Sequence, residues 1–416
     1  MSFGCRLNIA ESAVLAGLSS DPGLVIVNSC AVTGEAVRQA RQAIRRTARA
    51  RPGVRIVVTG CAAEVEAGAF AMPEVAAVVG RRGKFLPDSY CSLPPRGAAR
   101  GEGSSGGALA VDSRSLQRNP HPSPPRSRFA SLSGGEGAGR TRAFVPVQNG
   151  CDHGCTFCII AQARGPSTSE DPSAVVDRIA ALTDAGCNEV VLTGVDLTSY
   201  AGGLGPLVQR ILRETTLPRL RISSIDSIEV DPDLLDAIAS QPRLMPQLHL
   251  SLQSGDDLIL KRMKRRHSRD HAIAFCADLR ARRPEIAFAA DFITGFPTET
   301  EKMFEQTLAL VDECGLTQLH VFPYSPRPGT PAARMPQVPN VVARERAARL
   351  RALGELRTDA ALDAAVGHSH RILVERSGLR GRTETYLPAQ LATPATPGSI
   401  ITVRATHAVG GKLECA

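Results

Sequence analysis

The chain has 416 residues, 43% of them hydrophobic and 22% charged, with a formal net charge of +8 and no tryptophan. That length gives two or three domains with ample apolar material for their cores; no run of 18 apolar residues occurs, which argues against a membrane-spanning helix and a membrane partner, and aromatic residues at 4% argue against a surface that stacks many bases on exposed rings. The basic balance is compatible with a nucleic-acid partner, and eleven cysteines behind an N-terminus without a secretory leader fit a reducing, cytoplasmic setting and metal binding better than a disulfide framework.

Residues 1–93 read as a first domain. Leu24–Cys30, Arg55–Cys61 and Val75–Gly80 are short apolar strands, and Glu35–Arg51 between the first two is a helix carrying Arg38, Arg41, Arg45, Arg46, Arg49 and Arg51. Strands alternating with helices predict a parallel, Rossmann-like α/β sheet, and ligands of such sheets gather beyond the carboxyl ends of the strands. Cys30 and Cys61 sit at those ends, and Cys5 is expected at the same edge. One such cysteine alone would be an ordinary small buried residue; three meeting at one edge would hold a metal cluster with three protein ligands.

Residues 94–141 break the pattern. Half of the 40 residues from Gly101 to Arg140 are Gly, Pro or Ser, so the segment reads as a linker. From residue 142 to 365 the strand–helix alternation resumes. Strands are expected at Phe144–Gln148, Glu189–Leu192, Leu220–Ser223, Leu248–Leu252, Phe288–Ile293 and Leu319–Pro323. Helices are expected at Pro172–Ala185, Pro206–Glu214, Asp231–Ala239, Asp256–Arg283 (broken near Arg266) and Glu299–Cys314, with Asn340–Ala365 as a connector. Six βα units make a curved parallel sheet, a partial (βα)6 TIM-like barrel, whose chemistry belongs in the loops after the strands.

The loop after the first of these strands is Gly150-Cys151-Asp152-His153-Gly154-Cys155-Thr156-Phe157-Cys158. Three cysteines at C-x3-C-x2-C spacing are too tightly set for independent core residues or ordinary disulfides, and read as a loop wrapped around one inorganic centre. Thiolates are the ligands of iron–sulfur clusters, and a cluster of four irons normally takes four of them; three would leave one iron open, as catalytic zinc sites leave a position open. A zinc knuckle remains the alternative on spacing alone. The other strand ends carry Thr193-Gly194, Ser223-Ser224-Ile225-Asp226, Gln253-Ser254-Gly255 and Asp291–Pro297, small and polar residues that suit close approach to a cofactor and equally suit turns. Residues 366–416 change character. Arg371–Glu375, Thr383–Leu387 and Ile400–Ala405 are short β runs separated by Gly and Pro, a small β-barrel of the size of oligonucleotide-binding (OB-like) barrels.

Taken together, the chain resembles the radical S-adenosylmethionine (SAM) methylthiotransferases over nearly all its length except the linker. The resemblance rests on Phe3-Gly4-Cys5-Arg6-Leu7-Asn8, Asn28-Ser29-Cys30 and Thr59-Gly60-Cys61, then on the loop Cys151–Cys158, Ala163-Arg164-Gly165, Leu252–Gly255 with Leu260–Met263, and Gly295-Phe296-Pro297-Thr298-Glu299-Thr300. It implies two 4Fe-4S clusters, one on Cys151, Cys155 and Cys158 that cleaves SAM to a 5′-deoxyadenosyl radical, and one on Cys5, Cys30 and Cys61 that relays sulfur. It implies a C-terminal TRAM domain that binds RNA, and an electron donor such as flavodoxin or ferredoxin. Thr193, Gly194, Ser224, Gln253 and Gly295 are the SAM contacts expected from their places at the strand ends. Three subfamilies modify isopentenyladenosine in tRNA, an aspartate of a ribosomal protein, or threonylcarbamoyladenosine next to the tRNA anticodon. Cys151–Ile160, Leu192–Tyr200 and His320–Ser325 look most like the third. The Arg-rich stretches Arg38–Arg51 and Lys261–Arg269 and the C-terminal barrel are expected to hold phosphates. A non-enzyme alternative is an iron–sulfur RNA-binding sensor. Two departures stand out: Ala161-Gln162 replaces a common Pro, and the strand the family usually places before its first cysteine is expected to be missing.

Overall fold

In the computed structural model, which describes residues 1–91 and 141–416, the chain opens on a helix that the hydrophobic pattern did not suggest, α1 (Arg6–Ala16). Its buried side includes Asn8 and Glu11 beside Leu7, Val14 and Leu15, so the apolar stripe is interrupted by polar groups. Then β1 (Leu24–Ser29), α2 (Gly34–Ala50), β2 (Arg55–Gly60), α3 (Cys61–Val65) and β3 (Ala77–Val78) form a parallel sheet in the order β1-β2-β3. The strand expected to be missing is present in shortened form. Ser2 bridges Asn28 in parallel, the Phe3 amide donates to the Asn28 carbonyl at 2.9 Å, and the Asn28 amide donates to the Met1 carbonyl at 2.8 Å. Helix α2 is capped by Thr33, whose hydroxyl accepts from the Ala36 amide, and it buries Val37, Ala40, Ala43, Ile44 and Thr47. That spacing leaves Arg38, Arg45, Arg46 and Arg49 exposed on the other face.

The expected linker, residues 94–141, lies outside the described residues except for its last one. From there β4 (Ala143–Pro146), α4 (Ile160–Arg164), α5 (Pro172–Asp184), β5 (Glu189–Thr193), α6 (Leu204–Glu214) and β6 (Arg219–Ile222) follow. A break at Ser223 separates β6 from β7 (Ser224–Ile225), and α7 (Pro232–Ser240), β8 (Gln247–Gln253), α8 (Asp257–Met263), α9 (Arg269–Arg282), β9 (Ala287–Thr294), α10 (Glu301–Glu313) and β10 (Leu316–Pro323) complete the row. All pairings are parallel, in a three-stranded sheet β4-β5-β6 and a four-stranded sheet β10-β9-β8-β7, so the six βα units are present with the third strand split in two. The helix expected at Asp256–Arg283 breaks at Lys264, which closes α8 in the left-handed region at φ +58°, and Ser268 caps α9.

The connector α11 (Asn340–Ala365) leads to β11 (Ser369–Val374), β12 (Arg380–Arg382), β13 (Pro388–Leu391), β14 (Ile400–Val409) and β15 (Lys412–Cys415), which close into a barrel in the order β11-β12-β13-β15-β14. The expected strand at Thr383–Leu387 is instead the turn between β12 and β13, with Tyr386 at φ +72°. The barrel is fixed to the βα row by one buried charge cluster. Glu189 accepts from Arg142 Nε at 2.8 Å and Arg221 Nε at 2.9 Å, and Arg221 donates onward to the carbonyls of Glu384 and Thr383 at 2.9 Å each. Tyr386 lies under the guanidinium groups of Arg142, Arg221 and Arg382 at 5.0–5.3 Å. Burial would raise the Glu189 carboxyl, but Arg221 and Arg142 hold it below the usual carboxylate range. Neutralising one member of such a cluster leaves the others buried and uncompensated, at a cost on the order of 3 kcal/mol. Glu189→Gln should therefore lower the urea midpoint of the chain and make residues 366–416 exchange amide hydrogens faster than in the wild type; unchanged exchange there would refute this account of the junction.

Candidate active site: two cysteine trios on one cavity

Cys30 follows β1 directly, Cys61 is the first residue of α3 after β2, and Cys5 stands at the N-terminal cap position of α1. Gly4, at φ +103°, lies against Cys30 so closely that a Cβ on it would fall 2.6 Å from the Cys30 Cβ and 2.7 Å from its Sγ. The Ser29 hydroxyl donates to the Thr59 carbonyl at 2.6 Å and accepts from the Ala63 amide at 3.1 Å, tying the ends of β1 and β2 together beside Cys30 and Cys61. Burial pushes the Cys30 thiol up to about 12, with Cys61 and Cys5 adding to the rise, and burial likewise raises Cys61.

The second trio is shaped by its loop. Gly150, at φ +75°, sits where a Cβ would overlap the Pro166 carbonyl, and the Cys151 amide donates to the Gly165 carbonyl at 3.1 Å. The middle of the loop is pinned to α8: the Thr156 amide donates to the Met263 carbonyl at 3.1 Å and its hydroxyl to the Arg262 carbonyl at 2.7 Å. The sulfurs receive backbone amides, His153 N on Cys151 Sγ and Ile160 N on Cys158 Sγ at 3.4 Å each, while Arg265 Nη1 lies 3.7 Å from Cys155 Sγ. His153 Nε2 lies 2.7 Å from Asp196 Oδ2 and 2.9 Å from Arg266 Nη2, and its donor atom gathers with those of Cys151 and Asp196 within 4.8 Å. Burial pushes Cys151 up to about 12 and Cys158 up to about 11, and the other thiols of the loop raise both further. Each trio is thus a set of three soft donors, the ligand type that iron–sulfur clusters take.

Both trios border one cavity of about 600 Å³, lined by Cys5 and Cys30 from the first and Cys158 from the second. Thr193, Gly194, Ser224 and Gln253 line it too, Gln253 in the left-handed region at φ +69°. Gly295 does not. It sits at φ +69° beneath α11, where a Cβ would collide with Ala343, so its small size serves helix packing. In the stretch Lys261–Arg269, Arg265 and Arg266 pair with Asp226 at 2.8 and 3.2 Å and Arg269 with Glu313 at 2.6 Å, while Lys261, Lys264 and Arg266 stay exposed. Burial would raise Asp226, but His267, Arg265 and Arg266 hold it well below the usual carboxylate range.

Two positioning groups were not foreseen. Gln148 accepts from the Val195 and Asp196 amides at 3.0 and 2.8 Å and donates to the Gly150 carbonyl at 2.8 Å, joining the cysteine loop to the loop after β5. Arg164, at the end of α4, donates to Glu11 at 2.8 and 3.1 Å, to Asn8 Oδ1 at 2.6 Å and to Asn149 Oδ1 at 2.9 Å. Lys84 adds a contact to Glu11 at 2.6 Å. Burial would raise Glu11, yet Arg164 and Lys84 bring it from 4.5 down to about 2.

Residues 145–311 match the Radical SAM superfamily and residues 1–80 the Uncharacterized protein family UPF0004. The chain is 41% identical over 426 residues, covering all of it and 96% of the relative, to "Threonylcarbamoyladenosine tRNA methylthiotransferase MtaB" of Rickettsia prowazekii. It is 32% identical to a "tRNA-2-methylthio-N(6)-dimethylallyladenosine synthase" of Cereibacter sphaeroides, over 97% of this chain and 94% of the relative. Among solved structures, the radical S-adenosylmethionine methyltransferase TsrM of Kitasatospora setae shares the fold at 17% identity and a TM-score of 0.51, over 79% of this chain and 67% of that one.

Two outcomes follow from the geometry. Gly150→Ala should abolish assembly on the second trio, removing about four irons per chain from anaerobically reconstituted protein; full iron would sink the argument from the Pro166 carbonyl. Because the folded Glu11 carboxyl is depressed from 4.5 to about 2, its stabilisation is whole above its ordinary value and is lost as pH falls through that window, on the order of 3 kcal/mol in total. Urea unfolding of cluster-free protein at stepped pH should show this loss in the wild type and a flatter profile in Glu11→Gln.

Proposed function

Because the chain belongs to the radical SAM tRNA methylthiotransferase family, we propose that it places a methylthio group on C2 of N6-threonylcarbamoyladenosine next to a tRNA anticodon, with 4Fe-4S clusters held by Cys151, Cys155 and Cys158 and by Cys5, Cys30 and Cys61. The observation that carries the reading is the single cavity onto which both cysteine trios open, together with the full-length similarity to a relative named for that nucleoside. C2 of adenine is an unactivated C–H carbon that no side-chain acid or base serves, so the bound clusters and SAM supply the radical chemistry, the sulfur and the methyl group.

The chain's own residues do the positioning. Thr193, Gly194, Ser224 and Gln253 line the cavity beside Cys158 and are proposed to contact SAM. Gly194 is held small by its surroundings, since a Cβ would fall 2.8 Å from Leu197 and 2.9 Å from Gln148 Oε1. Arg265 sets a cation beside Cys155, and Arg164 sets one near Cys61 and Cys5. The target base leaves its stack to enter the cavity, while the exposed arginines of α2 and the five-stranded C-terminal barrel hold phosphates of the anticodon stem-loop. The remaining reading places the domains at residues 1–93, 142–365 and 366–416, a flavodoxin or ferredoxin as electron donor, and the enzyme in the cytoplasm with its tRNA; among the described residues no helix is long and apolar enough to cross a membrane.

Liquid chromatography of digested tRNA from a strain lacking the gene should show loss of the methylthiolated threonylcarbamoyl nucleoside and its return on complementation; loss of the isopentenyl counterpart alone, or intact tRNA with an unmodified ribosomal-protein aspartate, would replace this substrate. In reconstituted protein, replacing Cys5, Cys30 and Cys61 together with Ala should halve the iron from about eight per chain while SAM cleavage persists, whereas a sensor without enzyme activity would release no 5′-deoxyadenosine at all.

A further inference from the structure

His249, Asp291 and His320 stand on the three adjacent parallel strands β8, β9 and β10. Asp291 is directly in register with His320, and His249 pairs two residues earlier with Ala289. All three line the cavity that the cysteine trios share. One donor atom from each, two imidazole nitrogens and a carboxylate oxygen, gathers within 4.8 Å of the others. His249 Nε2 lies 2.9 Å and His320 Nδ1 3.5 Å from the same Asp291 Oδ1. Ligands held about 2.1 Å from one ion stand roughly 3.0–3.4 Å apart, so these separations match the edges of a coordination shell.

A second, independent feature points to a ligand. The His249 side chain is only 5% exposed, and its Nε2 is buried without a hydrogen-bond partner despite the nearby carboxylate. Buried imidazole nitrogens are nearly always satisfied, and a shared cation would satisfy His249 Nε2 and Asp291 Oδ1 together. The His320 side chain is 48% exposed, which leaves one side of the group open to solvent and cavity. Two imidazoles and one carboxylate, with no thiol among them, are a donor set for a single divalent first-row ion such as Fe²⁺, Mn²⁺ or Zn²⁺.

We propose that His249, Asp291 and His320 bind one divalent transition-metal ion in the cavity wall, and that its open coordination positions take the carboxylate and hydroxyl of the substrate's threonylcarbamoyl group. The second clause rests on the substrate proposed above; the first does not. Threonylcarbamoyl carries both oxygen donors and isopentenyl carries neither, so the ion would discriminate between the two N6 substituents by direct ligation. Such discrimination is large where one substituent leaves a polar site unpaired.

The test uses the full chain with both clusters reconstituted, so that the six thiols are occupied, and then treated with chelator to strip loose metal. Mn²⁺ titration followed by the loss of the aqueous Mn²⁺ electron-paramagnetic-resonance signal should show one ion per chain, with Zn²⁺ displacing it. Asp291→Asn and His320→Gln should each weaken binding at least tenfold with cluster iron and visible absorbance unchanged, which keeps the result separate from misfolding. No binding of either ion, or binding as tight in both variants as in the wild type, overturns the site. Synthetic anticodon stem-loops then test the ligand. Mn²⁺ should tighten binding of the threonylcarbamoyl loop at least tenfold and leave the isopentenyl loop unchanged. Equal effects on both loops overturn the ligand assignment while the ion site stands, and failure of the substrate proposal itself is read apart from either, in the nucleosides of cellular tRNA.

Discussion

The buried contact between Glu11 and Arg164 couples two domains that would otherwise present their cysteines independently. Its partners are 153 residues apart in sequence and both lie in the interior. A lone buried carboxylate or guanidinium costs several kcal/mol of desolvation, and the pair is tolerable only because nearly every donor and acceptor is used. Glu11 takes bonds from Arg164 and Lys84, and Arg164 spends its remaining donors on Asn8 and Asn149. Those last two place the contact at the cysteine loops. Asn8 donates to the carbonyls of Phe3 and Ser29, next to Cys5 and Cys30, and Asn149 immediately precedes Gly150 of the other trio. One guanidinium therefore fixes the register between both sets of sulfurs. The shared cavity exists because that register is fixed.

The same economy governs the other junction. Glu189 is completely buried among Arg142, Arg219 and Arg221, and through them it reaches the backbone of the C-terminal barrel. A net charge of +8 suggested a broadly basic RNA surface, but many of these arginines serve as struts. Arg265 is held by Asp226, Arg269 by Glu313, Arg346 by Glu299, and Arg283 by three backbone carbonyls. What remains outward is divided among α2, with Arg38, Arg45, Arg46 and Arg49, the connector α11, with Arg344, Arg349 and Arg351, and the barrel, with Arg371, Arg376, Arg380 and Arg404.

This explains which features were legible in the sequence. The strands of both sheets were, because each is a short apolar run ending in small or polar residues, and the cysteines were, because they sit at those ends. The cysteine loop was legible through its C-x3-C-x2-C spacing. Helix α1 was hidden because Asn8 and Glu11 occupy its buried face, and their reason for being there lies in Arg164, far along the chain. Gly295 was misplaced for a related reason: a glycine at a strand end has the same signature whether it admits a cofactor or, as here, the backbone of α11. The turn at Thr383–Leu387 was read as a strand because its β-branched and aromatic residues match strand composition, while Tyr386 is held at positive φ under three guanidinium groups that no local pattern reveals.

The cavity also explains how unlike donor sets coexist within one enclosure. The thiol trios are soft sulfur donors of the kind that iron–sulfur clusters take. The imidazole–carboxylate group on β8–β10 has the opposite preference, since nitrogen and oxygen donors without sulfur disfavour an iron–sulfur cluster. Cations stand beside the thiol trios. Arg265, clamped by Asp226, stands at Cys155, and Arg164, clamped by Glu11, stands near Cys61 and Cys5, so positive charge accompanies each thiol trio. Among the described residues, His249 and His320 pair with Asp291 and with no arginine. Fixed cations stabilise thiolates and repel free metal ions, whereas an anion between two imidazoles attracts them. On this proposal charge sorts metals within a space of about 600 Å³, and the cation near Cys61 and Cys5 is held by Glu11–Arg164, the buried pair that joins the two domains.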